Sequence, residues 1–122
     1  VYVNMDKVRL EQVITNVVSN ASKYSPGQNT ISINCTCSDN NMLVSVQDYG
    51  IGIAKDKLHK IFGRFYRVEE IATGFSGLGI GLYIAAEIVQ RHGGKIWAES
   101  EPGQGSKFSF TVPIVQAGQE AI

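Results

Sequence analysis

LEQVITNVVSNASKYSPG, residues 10–27, carries a helix and its end in one stretch. Leu10, Val13, Ile14, Val17, Val18 and Ala21 recur three and four residues apart, as one apolar face of a helix requires. Pro26-Gly27 then stops the pattern. With Asn16 set to zero on a helical wheel, Asn20 falls at roughly 40°, Lys23 at roughly minus 20° and Arg9 at roughly 20°, while the apolar stripe centres near ~130°. Glu11, Thr15, Ser19 and Ser22 take the solvent side. Asn16, Asn20 and Lys23 therefore form a narrow polar strip along the core boundary. Amides are poor helix formers and poor core residues, so this strip needs water or a partner. Two readings stand: a hydrated boundary with local amide hydrogen bonds, or two amide oxygens for a hard cation with a lysine beside them for a phosphate oxygen. Tyr24, about 80° round the wheel, is either a core-edge aromatic or a cover for a flat ligand.

Upstream of this helix, residues 1–3 read as the end of a strand, and Asp6 or Asn4 as the helix cap. Downstream, residues 30–36 and 42–47 read as two strands joined by the polar turn Ser38-Asp39-Asn40-Asn41, an antiparallel hairpin. Asp48-Tyr49-Gly50-Ile51-Gly52-Ile53 closes the second strand, and residues 54–61 read as a short helix. Periodicity fails from residue 62 to 79, the longest candidate loop, and long loops in compact domains are commonly functional. Gly81, Ile84, Ala85, Ile88, Val89 and His92 then repeat at helical spacing up to Gly93-Gly94. Residues 96–99 and 107–112 form a last strand pair around Glu101-Pro102-Gly103-Gln104-Gly105. Helices interleaved with antiparallel hairpins predict an α/β fold, a two-layer α/β sandwich with a largely antiparallel sheet, and not a parallel doubly wound sheet.

The chain has 122 residues, a size that suits one domain with its own core. Eleven basic and 11 acidic residues give a net charge of zero, so no global field draws nucleic acid or an anionic membrane. No apolar run is long enough to cross a bilayer, and no signal-peptide pattern is present. Cys35 and Cys37 alternate with Asn34 and Thr36, so both point the same way and a bridge between them would be strained. They are expected to be buried, reduced thiols, which fits a cytosolic compartment.

Asp48 shares strand parity with Val44 and Val46, which sends its carboxylate to the buried face, where it needs donors or a positive partner. Gly50 and Gly52 behind it let backbone approach a ligand closely. Such a carboxylate either ends a turn or accepts a hydrogen bond from an exocyclic amine such as that of adenine. Gly77, Gly79 and Gly81, with Leu78 and Leu82 among them, alternate directly before the second long helix. They form a hinge, or they offer exposed helix-end amides to phosphate oxygens. The run follows no first strand and lacks a G-K-[ST], so neither a dinucleotide fold nor a Walker loop is supported. Phe62, Phe65 and Tyr66 anchor the preceding loop by aromatic burial, which leaves Arg64, Arg67 or both to reach a phosphate. His59 and His92 have no partner at nucleophile or metal spacing.

In this order, the four regions resemble the catalytic and ATP-binding domain of sensor histidine kinases, part of the ATPase group that also holds heat-shock chaperones, gyrase and mismatch-repair ATPases. Residues 16–24 resemble its N box, 48–52 its first glycine box, 62–67 its F box and 77–82 its second glycine box; 103–108 resemble its closing turn and strand. The resemblance implies a Bergerat-type fold with an ATP lid over residues 66–77. It implies that Asn20 coordinates Mg²⁺ and that Asn16 supports metal or phosphates. Lys23 then approaches the phosphates, Tyr24 packs on adenine, and Asp48 recognises the base. Gly50, Gly52, Ile53, Phe65, Tyr66, Arg67, Gly77, Leu78, Gly79, Gly81 and Leu82 complete the implied ATP site, with Arg64 and Arg67 beside the triphosphate.

The departures from that pattern bear on function. Chaperone, gyrase and mismatch-repair relatives carry a water-activating glutamate where this chain has Asn16, and Glu11 points about 140° away on the wheel. Intrinsic hydrolysis is therefore disfavoured relative to delivery of a phosphoryl group to an external histidine. A histidine-bearing dimerisation and phosphoacceptor domain is implied as partner, with a response regulator downstream and no nucleic acid or direct membrane contact. Residues 1–122 are expected to be one catalytic domain, shortened at its first strand, from a cytoplasmic portion of a bacterial membrane sensor or a soluble parent. The alternatives are a self-contained ATPase, an anti-sigma-type serine kinase of the same fold, and a non-catalytic docking module.

Overall fold

The computed structural model describes residue 3 and residues 5–23, 30–38, 40–58, 60–62 and 81–114, without the side chains at 22 and 23. Helices α1 (Lys7–Lys23), α2 (Lys55–Leu58) and α3 (Gly81–Arg91) accompany strands β1 (Ser32–Cys37), β2 (Asn41–Gln47), β3 (Ile96–Ser100) and β4 (Ser106–Pro113). The strands form one sheet in the order β1-β2-β4-β3, and every adjacent pair is antiparallel. Val3 adds an antiparallel bridge to Ile114. α1 and α3 pack on each other and on the central strands, making a mixed α/β fold of two layers with the predicted sheet.

The core lies between the layers. Val13, Val17 and Ala21 of α1 meet Val44 and Val46 of β2, Phe108, Phe110 and Val112 of β4, and Ala85 and Val89 of α3. Phe108 and Phe110 are fully buried. Burying an aromatic of this size is worth about 2–3 kcal/mol over leaving it exposed, so the β4 pair fixes which face of the sheet the helices cover.

Both ends of the helical layer are set by local chemistry. Asp6, of the two predicted caps, supplies Oδ1 to the backbone N–H of Val8 at 2.8 Å and of Arg9 at 3.3 Å. Asp6→Ala should cost about 1 kcal/mol in urea unfolding and leave ligand binding alone, since the bond is exposed and at the far end of α1 from Asn20. α3 ends in a Schellman arrangement: Gly94 N–H donates to the Val89 carbonyl at 2.9 Å and Gly93 N–H to that of Gln90 at 3.1 Å. Gly93 has φ +82° there, a left-handed conformation suited to glycine.

Two expectations change. The short helix covers only Lys55–Leu58, with turn residues at 60–62. Cys35 and Cys37 are free as expected but exposed, not buried. They do point to the helix side, opposite Val44 and Met42, yet β1 is an edge strand that no helix covers among the described residues. Strand parity chose the face correctly, and the missing cover left it open. On the opposite face, Trp97 stands across from Ser109, whose Oγ meets Ser45 Oγ at 3.1 Å in a buried pair.

Candidate functional site

Asp48 follows β2 and extends the β2/β4 pairing by one step, its N–H donating to the Ser106 carbonyl at 2.8 Å. Its side chain is fully buried, as strand parity predicts. Oδ1 accepts from the backbone N–H of Gly50 at 3.0 Å and of Ser106 at 3.1 Å. Oδ2 is buried too and has no partner among the described residues. Burial pushes the Asp48 carboxyl above its ordinary value, and the two backbone donors only partly offset this. One oxygen is thus tied down and the other is an open acceptor, a costly arrangement unless a donor arrives.

The loop after Asp48 is fastened to the β3/β4 turn along its length. Gly103 N–H donates to the Ile51 carbonyl at 2.6 Å, and Ile53 N–H to Ser100 Oγ at 2.7 Å. Ser100 Oγ in turn donates to the Gly105 carbonyl at 2.8 Å and lies 2.9 Å from Ser106 Oγ. Two glycines permit the contact: a Cβ on Gly52, φ +76°, would strike the Glu101 carbonyl, and one on Gly105, φ +86°, the Asp48 carbonyl. Sequence reasoning gave Gly105 and Ser106 a place in the closing turn and strand but no part in the site, and gave Ser100 none. The Gly-x-Gly-Ser turn at 103–106 was the available signal, but which loop it braces depends on the β2/β4 register.

Asn16 and Asn20 lie at the half-buried edge of α1, between its buried stripe and the exposed Glu11, Thr15 and Ser19. Asn16 Nδ2 donates to the Gly81 carbonyl at 3.1 Å, which ties α1 to the first residue of α3. Asn20 Nδ2 is buried and has no partner among the described residues. The predicted amide strip therefore divides into a tether and an open amide. Gly81 begins α3 beside Asn16, while Ile53 and Leu82 lie in the core, 1% and 5% exposed. Gly50 is half-buried and Gly52 buried in the braced loop. His92 is half-buried, its Nδ1 donating to the Ile88 carbonyl at 2.7 Å. The Lys23 side chain, Tyr24, His59, Arg64, Phe65, Tyr66, Arg67, Gly77, Leu78 and Gly79 lie outside the described residues.

Magnesium can be tested against this donor set. Among the described residues no three His, Cys, Asp or Glu side chains gather to hold a metal ion. Mg²⁺ usually keeps waters and takes one or two protein ligands alongside substrate phosphates. The open amide of Asn20 fits that pattern, because a half-turn about its last side-chain bond exchanges nitrogen for oxygen. The residues suit a cation that arrives with a nucleotide, not one held by the protein alone.

Comparison with known proteins agrees with this arrangement. Residues 5–116 match the family described as histidine kinase-, DNA gyrase B- and HSP90-like ATPase. The chain is 47% identical over 122 residues to the sensor histidine kinase WalK of Bacillus subtilis, covering 98% of this chain and 20% of that protein. It is 40% identical over 123 residues to the sensor protein kinase WalK of Staphylococcus epidermidis, covering 97% and 20%. The chain therefore spans about one fifth of the length of these relatives. Among solved structures, the catalytic domain of histidine kinase ThkA superposes with a TM-score of 0.75 at 33% identity, over 89% of this chain and 69% of that one. No described helix is long and apolar enough to cross a membrane. The braced carboxylate, the open amide on α1 and the matching sequences have one explanation: the chain belongs to the histidine kinase-, DNA gyrase B- and HSP90-like ATPase family and is homologous to the ATP-binding catalytic domains of sensor histidine kinases.

Proposed function

We propose that this domain binds Mg-ATP and, within a longer sensor kinase, passes the γ-phosphoryl group to a histidine on a separate dimerisation domain, which then supplies a response regulator. The observation that carries the reading is Asp48: one carboxylate oxygen is held by two backbone donors while the other is buried and open. An adenine amino group satisfies that oxygen and removes the cost of leaving it unpaired. Half-buried Gly50 allows the base to approach the backbone, while Gly52 holds the loop against the Glu101 carbonyl.

Asn20 is assigned to the nucleotide's cation and Lys23 to phosphate oxygens, with Tyr24 against the base and the segment from Phe65 to Gly79, with Arg64 and Arg67, closing over the triphosphate. When bound, Mg²⁺ neutralises phosphate charge and fixes the phosphate geometry. In the transfer, the bond from γ-phosphorus to the β,γ-bridging oxygen breaks and a bond to the acceptor imidazole nitrogen forms. ADP leaves, and the imidazole proton passes to solvent or to a base of the acceptor domain. What this chain contributes is position and charge.

Asn20→Ala should remove most of the magnesium-dependent part of ATP affinity while leaving the fold intact, because the apo side chain donates no hydrogen bond that would be lost. Calorimetry with and without Mg²⁺ measures this, and an unchanged magnesium effect would remove Asn20 from the assignment. Phosphoryl transfer itself is tested with radiolabelled ATP and an acceptor domain from the parent kinase, in wild-type form and with its histidine replaced by glutamine. Acid-labile label should appear only on the intact acceptor, and the isolated chain should neither label itself nor turn over ATP rapidly.

The self-contained ATPase is disfavoured by Asn16. Its amide is occupied as the tether to Gly81, and an amide has no carboxylate with which to activate water. Rapid phosphate release by the isolated chain, without transfer to a folded acceptor, would reverse this preference.

A further inference from the structure

We propose that Cys35, Cys37 and Met42 form a three-sulfur site for a soft monovalent cation of the Cu(I) class, on the uncovered edge of the sheet and separate from the nucleotide site. The argument starts from register. Cys37 stands opposite Met42, and Cys35 opposite Val44, so Cys35 is Met42's diagonal neighbour on the same face. Ser38 N–H donates to the Asn41 carbonyl at 2.9 Å and closes the hairpin. Residues 38 and 41 are thus a hydrogen-bonded pair, and alternation makes 37 and 42 a non-hydrogen-bonded one. In that class the Cα atoms lie only about 4.5 Å apart and the side chains are close.

The two thiols are poorly placed for each other but well placed for an ion between them. Two steps along a strand separate their Cα atoms by about 6.7 Å with side chains parallel, at the outer limit for a disulfide. A bridging ion relaxes this, because each sulfur need come only within about 2.3 Å of the metal. Both thiols are free and exposed, while Met42 is half-buried against the rim of the core, which holds its thioether in place.

The surroundings choose the class of ion. The other side chains on this face of β1 and β2 are Ile33, Val44 and Val46, so these strands offer sulfur and hydrocarbon here and, among the described residues of β1 and β2, no carboxylate or imidazole. Thiolate and thioether donors favour Cu(I) over Mg²⁺ or Ca²⁺, which want oxygen. Binding replaces two S–H bonds by two Cu–S bonds, releases two protons to solvent and adds a dative bond from the Met42 thioether; no electron changes hands. Asp48 lies six steps along the chain from Met42, just past the end of β2, roughly 20 Å away in an extended strand, so the ion and the nucleotide do not compete.

The test is anaerobic titration of the reduced protein with Cu(I), supplied as its acetonitrile complex, in competition with a chromophoric Cu(I) chelator. Native mass spectrometry with Ag(I), a redox-silent stand-in, gives the stoichiometry. One ion per chain is expected. The paired change Cys35→Ser with Cys37→Ser should weaken binding at least a hundredfold, and the volume-conserving Met42→Leu about tenfold, with urea unfolding of each variant confirming the fold. Failure of the wild type to take Cu(I) from the chelator would overturn the proposal. So would equal affinity in Met42→Leu, or one ion shared by two chains.

Discussion

Asp48→Asn should lower affinity for adenine nucleotides by roughly 5- to 150-fold, the equivalent of about 1–3 kcal/mol for a buried group left badly paired. The oxygen that Gly50 and Ser106 hold survives the substitution as the amide oxygen. The open oxygen becomes an NH₂ group, which would face the adenine amine donor against donor. Guanine presents a carbonyl at that position, so its weak binding should not fall in step and the preference for adenine should shrink. An unchanged adenine-to-guanine ratio in calorimetry would place Asp48 outside the base pocket.

The same substitution makes a pH prediction. Burial raises the folded-state carboxyl above the unfolded value of 3.8. A group raised in this way contributes stability that is fully present below the unfolded value and is lost as pH rises through the folded one. At neutral pH the ionised carboxylate therefore costs the apo domain stability, and wild type should gain on Asp48→Asn as the pH falls from neutral through the raised value. Adenine affinity should fall over that window, beginning above the ordinary carboxylate range, as the acceptor is protonated. A stability difference that stays flat with pH would contradict the raised carboxyl.

Gly105→Ala should be the most disruptive single methyl addition in the turn, destabilising the domain by roughly 3–5 kcal/mol and weakening nucleotide binding with it. A left-handed φ costs a non-glycine residue about 1–2 kcal/mol. The new Cβ also meets the Asp48 carbonyl and the Tyr49 backbone, which are not flexible side-chain ends. Relieving that clash moves Asp48 from Ser106 and loosens the bonds in both directions between them. Gly103→Ala is the matched control: its φ is +84° but nothing lies within 4 Å of its new methyl. It should show the backbone cost of about 1–2 kcal/mol alone, with affinity preserved. Equal urea midpoints for the two variants would mean that the brace between turn and loop is slack.

What the sequence disclosed was mostly what neighbours in sequence decide. The α1 stripe from Leu10 to Ala21 is a matter of period, and the burial of Asp48 follows from its parity with Val44 and Val46. The stop at Gly93-Gly94 is local backbone chemistry. What escaped depends on partners far along the chain. The Asn16 tether joins residues 65 positions apart, and Ser106 reaches Asp48 across 58. No spacing rule in either segment announces those pairs. Cys35 and Cys37 carry the same lesson from the other side: alternation told which way they face, but their exposure depends on β1 having no helix over it among the described residues.

Trp97 gives the domain an optical property that follows from its place in the sheet. It is the chain's only tryptophan, 37% exposed on the face turned away from the helices, across from Ser109. Asp48 and Asn20 belong to the other side of the sheet. Tryptophan emission therefore reads the integrity of the β3/β4 hairpin from the sheet face opposite Asp48 and Asn20.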